Sequence, residues 1–249
     1  MIEIKNISKT FDERQILFDI SGSFKPSDNS LIIGGSGTGK SVLLKCMIGL
    51  IKPDSGSIIY DGRDFYNADR ETKKNIRREM GVLFQGSALF DSKSVEENVM
   101  FPLDMMTTMP KEEKLERVNF CLKRVGLEDV NKRMPSEISG GMQKRVGIAR
   151  AIVMNPRYLF CDEPNSGLDP LTAIKIDELI KDITDEYNIT TVVITHDMNS
   201  VVSIAEHIIF LYQGKNLWQG TSSTILGNQV PELQEFIFAN KLMREAKVN

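Results

Sequence analysis

Gly34-Gly35-Ser36-Gly37-Thr38-Gly39-Lys40-Ser41, directly after the apolar run Leu31-Ile32-Ile33, reads as strand, glycine-rich loop, helix. Its four glycines let successive backbone N–H groups turn toward one point. The following helix, expected from about Ser41 to Ile51, adds the positive end of its dipole there. The product is an anion cradle. Lys40 is placed to reach β- and γ-phosphates, and the Ser41 hydroxyl to ligate a bridging Mg²⁺, so the stretch predicts a nucleoside triphosphate rather than a monophosphate. A chance glycine-rich turn would explain neither the strand before it nor the helix after it.

At 249 residues and 41% apolar content, the chain can bury a substantial core, as one large domain or as a core with a subdomain. A net charge of -3 argues against a general nucleic-acid binder, whose footprint would be strongly basic. The three cysteines, Cys46, Cys121 and Cys161, are odd in number and lie in apolar runs, which predicts buried free thiols in a reducing compartment, the cytosol. No signal-peptide pattern opens the sequence, and no apolar stretch approaches the roughly 18 residues of a membrane span. A membrane role is therefore expected to run through a partner.

Ile2 to Ile7 and Ile16 to Ile20 predict two short strands, an antiparallel region ahead of the loop. Phe11 lies between them, available either for hairpin packing or for stacking on a purine. Lys52-Pro53-Asp54-Ser55-Gly56 leads into a strand from Ser57 to Tyr60. Arg70 to Arg78 predicts a charged helix whose basic residues form a solvated face or meet a lipid headgroup or partner. Met80 to Phe84 predicts a buried strand delivering Gln85 at its C-terminal edge, where an amide can coordinate Mg²⁺ or order a water. Ser94-Val95-Glu96-Glu97 is a capping box for a helix expected to end near Pro102. A further helix carries Leu115, Val118, Leu122 and Val125 and is closed by Gly126. Met100, Met105, Met106 and Met109 are core filler or the lining of a groove for a partner's helix.

Ile138-Ser139-Gly140-Gly141-Met142 opens a helix expected from Gln143 to Asn155, and makes a second anion site. Either each site binds its own nucleotide, or two copies pair head to tail and share each one. Tyr158-Leu159-Phe160-Cys161-Asp162-Glu163 is a buried strand ending in two acids: Asp162 suits the Mg²⁺ shell, and Glu163 suits deprotonation of an attacking water. Ser166 to Asp169, a helix to about Tyr187 and a strand from Thr190 to Thr195 follow. His196 then sits where it can donate to the γ-phosphate, whereas His207 lies beside an apolar strand and reads as structural.

In this order, Gly34 to Ser41, Gln85, Ser139-Gly140-Gly141, Asp162-Glu163, Ser166 to Asp169 and His196 resemble the Walker A, Q-loop, signature, Walker B, D-loop and H-loop of an ABC-transporter ATPase. The resemblance implies an α/β fold with a P-loop NTPase core on a mostly parallel sheet, an N-terminal antiparallel β subdomain and an inserted α-helical subdomain. The implied boundaries are about 1–84 and 156–219 for the core, about 85–155 for the insertion and 220–249 for a C-terminal tail with Leu233, Phe236, Ile237 and Leu242 on a helix. That tail packs on its own domain or meets a dimer partner or regulator.

ATP and Mg²⁺ are the implied cofactors, with Glu163, His196, Lys40 and Gln85 catalytic and Ser41, Gln85 and Asp162 at the metal. The nucleotide is implied to meet Phe11, Gly34, Gly35, Ser36, Gly37, Thr38, Gly39, Lys40, Ser41, Val42, Ser139, Gly140, Gly141 and Asp169. Implied partners are a second copy of the chain and a multispan membrane permease docked on the insertion, at the cytoplasmic face of the inner membrane. The chain departs from the family pattern at Ile138 and Met142, where Leu and Gln are usual, and at Gly167, where Ala is common. Met142, Leu83 to Ser92 and Val95 to Leu103 are similar to the Mla/Mce branch, which implies phospholipid transport, an Mce-domain lipid-binding partner and a small regulatory subunit. A small-solute importer is the alternative. A non-transport role on ribosomes or DNA is disfavoured, because such proteins usually carry two cassettes or long coiled-coil arms.

Overall fold

The computed structural model describes residues 1–239. The N-terminal region is a hairpin, β1 (Ile2–Phe11) and β2 (Arg14–Phe24), whose strands are longer than expected. Asp12 and Glu13 close it with positive φ at both positions (44° and 67°), the turn whose twist matches paired strands. β3 (Asn29–Ile33) runs into the glycine loop and then α1 (Lys40–Met47). That helix stops short of Ile51 because Gly49 (φ 77°) takes the left-handed C-terminal position: its N–H bonds the Cys46 carbonyl and that of Leu50 the Lys45 carbonyl.

Next come β4 (Ser55–Tyr60), β5 (Arg63–Asp64), α2 (Arg70–Arg78) and β6 (Met80–Leu83). The insertion then supplies α3 (Val95–Met106), α4 (Lys111–Arg124) and α5 (Gly140–Ile152). α3 does not end near Pro102 but runs through it. Proline removes only the bond to the carbonyl four residues back, while Val95, Val99 and Leu103 bury one apolar stripe that carries the helix onward to Thr107, whose N–H bonds the Leu103 carbonyl. α5 begins three residues earlier than expected, since the Ser139 side chain accepts from the Met142 N–H and caps it.

The described residues continue with β7 (Tyr158–Asp162), α6 (Pro170–Tyr187), β8 (Thr190–Thr195), α7 (Met198–Ile204), β9 (His207–Tyr212), β10 (Lys215–Gly220), α8 (Ser222–Ile225) and α9 (Pro231–Ile237). Leu233 and Ile237 of α9 are fully buried in the core, and Leu242 lies outside the described residues.

β2-β1-β4-β5 form an antiparallel sheet, and β10-β9-β3-β8-β7-β6 a second sheet that is parallel except for β10. Strand parity divides the core. Leu31, Ile33, Leu159, Cys161 and Val193 face one cluster with the buried stripes of α3 to α7. Ile32, Tyr158, Phe160, Val192 and Ile194 face the other, with α1 and the antiparallel sheet. Among the described residues no helix is long and apolar enough to cross a membrane.

Candidate nucleotide site

Parallel pairing aligns the strand ends that carry the chemistry. Ile33 pairs with Thr195, Ile194 with Asp162 and Cys161 with Leu83, so the segments starting at Gly34, His196, Glu163 and Gln85 leave one edge of the sheet side by side. They open into a cleft of about 1130 Å³ whose wall includes Phe11, residues 35–42, Gln85, Glu163 and His196. Gly34 sits just behind that wall, its carbonyl turned to Lys40. Phe11 is 40% exposed, a free ring face apart from the Lys9 ammonium 5.1 Å from its centroid.

The loop's shape depends on its glycines and on Lys40. Gly39 (φ 100°) could not be replaced without strain, because a Cβ there would lie 2.8 Å from Leu17 Cδ2. Lys40 is buried, and its Nζ donates to the carbonyls of Gly34 (2.8 Å) and Gly35 (2.9 Å). Burial holds its pKa below the usual lysine value, against the pull of Glu163 and Asp162. An ammonium so desolvated gains from any phosphate that enters.

Across the cleft floor the Ser41 hydroxyl donates to Asp162 Oδ1 at 3.4 Å. Burial, then the neighbouring Glu163 carboxylate, raises the Asp162 pKa. A buried carboxylate facing a hydroxyl, with a second acid alongside, suits a hard divalent cation that takes oxygen ligands and retains phosphate and water in its shell. Among the described residues no cluster of three or more His, Cys, Asp or Glu forms a self-sufficient metal cage, so the fit is to Mg²⁺ carried on phosphates. Glu163 adopts a left-handed backbone (φ 49°), which turns its carboxylate toward His196 Nδ1 at 2.9 Å. The pair can hold a water and take its proton.

The Ser139-Gly140-Gly141 helix start lies elsewhere. Ser139 and Gly140 are exposed at the start of α5, and neither they nor Gly141 nor Asp169 joins the cleft wall. Asp169 caps α6, accepting from the Thr172 N–H at 3.0 Å. Gly141 packs so close to α6 that a Cβ would fall 2.8 Å from Thr172 Cγ2, which fixes the second site against the loop after Glu163. Both are therefore presented outward from the same face of the chain as a unit separate from the glycine loop. His207 lies edge-on to Phe24 at 6.4 Å, and burial lowers its pKa.

Several residues of the site carry no motif signal. Asn165 lines the cleft and donates to Ser200 Oγ at 3.0 Å. Asp177, 2% exposed beneath it, has a pKa raised by burial to about 6, which Asn165 and Ser200 moderate. Lys144, 5% exposed on α5, donates to the Gln85 carbonyl and, at 3.4 Å, to the Glu163 carbonyl.

A family model described as ABC transporter matches residues 17–166. A probable ribonucleotide transport ATP-binding protein, mkl of Mycobacterium leprae, is 36% identical over 241 residues, covering 97% of this chain and 70% of that protein. The methionine import ATP-binding protein MetN of Mannheimia succiniciproducens is 40% identical over 242 residues, covering 95% of this chain and 70% of that protein. Among solved structures, a dimeric ATP-binding cassette in a post-hydrolysis state with ADP and Pi superposes with a TM-score of 0.81 at 33% identity, over 89% of this chain and 99% of that one. cbiO1 of Clostridium perfringens, part of the transporter complex cbiONQ, superposes with a TM-score of 0.84 at 28% identity, over 99% of this chain and 98% of that one.

Proposed function

The chain belongs to the ABC transporter family as an ATP-hydrolysing subunit that binds ATP with Mg²⁺, and from that premise we propose that it energises phospholipid movement across or between bacterial envelope membranes. The observation that carries the hydrolytic part is the alignment of Ser41, Asp162, Glu163 and His196 along one sheet edge, with Ser41–Asp162 at 3.4 Å and Glu163–His196 at 2.9 Å. The N–H groups of residues 35–41 and the α1 dipole hold the phosphates, and Lys40 leaves its two carbonyls for the β- and γ-oxygens. Ser41, Asp162 and Gln85 would hold the cation. Mg²⁺ supplies positive charge where the phosphoryl oxygens gain negative charge. Glu163 Oε takes the proton of the attacking water, while His196, bonded to that carboxylate through Nδ1, fixes it; donation from Nε2 to the γ-phosphate uses the doubly protonated imidazolium. Phe11 stacks on the base.

ABC cassettes work as dimers on a membrane permease, and here the second anion site serves the partner copy's nucleotide. Ser139, Gly140, Gly141 and Asp169 lie outside the wall of their own cleft, which supports sharing rather than two separate nucleotides per chain. The chain acts as one cassette, with 85–155 as the docking insertion at the cytoplasmic face of the inner membrane. Phe90 and Phe101 pack at 4.7 Å beside exposed Met105 and Met106, an apolar edge suited to a permease helix.

The lipid reading rests on Met142 and on the stretches around Gln85 and α3 that are similar to the Mla/Mce branch, and it brings an Mce-domain protein and a small regulatory subunit as partners. A second reading, a small-solute importer, is favoured by the 40% identity to a methionine import protein. Affinity purification from the native membrane separates them. A multispan permease arriving with an Mce-domain protein supports lipid transport, and one arriving with a solute-binding protein overturns it while leaving the ATPase in place.

A further inference from the structure

α5 does more than present its first turn. Two turns of the helix each place a cation over main-chain oxygens of the segment that follows β6. Lys144 Nζ bonds the Gln85 carbonyl and reaches the Glu163 carbonyl at 3.4 Å. Arg150 Nη1 bonds the Ala88 carbonyl at 2.8 Å and Nη2 the Ser87 carbonyl at 2.5 Å. Three of these four carbonyls belong to strained backbone: Ser87, Ala88 and Glu163 hold positive φ (60°, 46° and 49°) without being glycine. Such conformations persist only where surrounding contacts over-determine them. Gly147 completes the fit, because a Cβ there would lie 2.7 Å from Leu83 Cδ1 and 3.5 Å from Ser87 Cβ, so the helix and the segment touch without a spacer.

Lys144 is singular among these contacts. It is the one α5 side chain that joins both cleft-facing segments, Gln85 from the end of β6 and Glu163 from the end of β7, and it is almost wholly withdrawn from water. A buried ammonium without acceptors would be strongly unfavourable, so its position is dictated by those two carbonyls. It also sits about one turn from Ser139 and Gly140, which the proposed shared site assigns to the partner copy's nucleotide.

We propose that Lys144 is a positioning residue for hydrolysis: its ammonium sets the spacing between the Gln85 and Glu163 main chains and so ties the attack geometry to α5. The inference rests on the roles given above to Gln85 and Glu163. A contact of the second anion site with a partner's nucleotide would then move α5, and with it both side chains, as one body. A shift of about 1 Å in such groups lowers a rate by about 10²-fold.

The test compares the full chain with Lys144→Met and Lys144→Arg variants, with Glu163→Gln and Gln85→Ala in parallel. Hydrogen exchange of the nucleotide-free protein should show faster exchange confined to residues 84–90 and 162–164 in Lys144→Met, with residues 34–42 unchanged. ATP affinity should stay within about twofold of the parent, while kcat falls about 10- to 100-fold. Lys144→Arg should recover most of the kcat and the protection. If Lys144→Met does not accumulate as folded protein, Lys144→Gln, which keeps one donor, should show the same localised exchange and an intermediate kcat. Unchanged exchange at residues 84–90, or exchange raised over the whole sheet with ATP affinity falling in step with kcat, overturns the proposal. If Glu163→Gln and Gln85→Ala also hydrolyse ATP at the parent rate, the underlying reading fails. If they fall and Lys144→Met does not, only this inference fails.

Discussion

Replacing Lys40 by alanine tests how the glycine loop recognises phosphate. The Lys40 ammonium bonds two carbonyls, those of Gly34 at 2.8 Å and Gly35 at 2.9 Å. What the lysine adds to binding is a charge-assisted bond to an anionic phosphate oxygen. A hydrogen bond to a charged group is worth about 1.5–3 kcal/mol, which sets the loss on Lys40→Ala at about 10- to 150-fold in ATP Kd. The loop amides and α1 remain, so affinity weakens without vanishing. Folding should change little, because the variant loses two carbonyl bonds and also the desolvation of a buried ammonium. Titration calorimetry with ATP and Mg²⁺, alongside a thermal melt, reads both quantities. A Kd within about threefold of the parent at unchanged Tm would refute the role given to Lys40.

Glu163→Gln should keep ATP binding, lower turnover about 10²- to 10⁴-fold and accumulate an ATP-bound dimer by light scattering; multi-turnover hydrolysis above about a tenth of the parent rate contradicts this. Asp177 titrates near 6 in the fold against 3.8 in a model peptide, so the folded state binds the extra proton between those values and stability falls as pH rises through that window. The penalty above it is on the order of 3 kcal/mol. Asp177→Asn should flatten the dependence, gaining stability over the parent at pH 7.5 and little at pH 4.5, measured by urea denaturation. Burial raises the Cys46 and Cys121 thiols to about 11 and Cys161 further still, so a thiol reagent should label none of the three at pH 8 until the chain unfolds.

The glycine loop, the Asp162-Glu163 pair and the Ser139 cap were legible because each is a contiguous signal whose chemistry resides in side chains or in glycine. The sheet order was less so. β10 (Lys215–Gly220) escaped reading since its alternation of exposed and half-buried residues offers no apolar run. Pro102 misled for a definite reason: one lost backbone bond weighs less than the buried stripe of Val95, Val99 and Leu103. The Glu163–His196 contact spans 33 residues and exists only because β7 and β8 are neighbours in register. Lys144 left no trace at all, since its acceptors are main-chain carbonyls, which look alike in every sequence. Asp177 was hidden likewise: as one acid on a long polar helix it reads as solvated, and only packing beneath Asn165 reveals its burial.

Mixing two inactive chains tests the shared site most directly. A Lys40→Ala chain keeps a weakened glycine loop without the ammonium that holds the β- and γ-oxygens for hydrolysis, and a Ser139→Arg chain lacks a working second anion site. If each nucleotide is held by Lys40 of one copy and Ser139 of the other, a mixed dimer regains one intact site. An equimolar mixture should then recover up to about a quarter of the parent ATPase rate, since half the dimers are mixed and each has one of two sites. Either chain alone should stay near background. Hydrolysis by the Ser139→Arg chain alone at the parent rate, or a mixture no more active than its components at any ratio, would contradict the shared site.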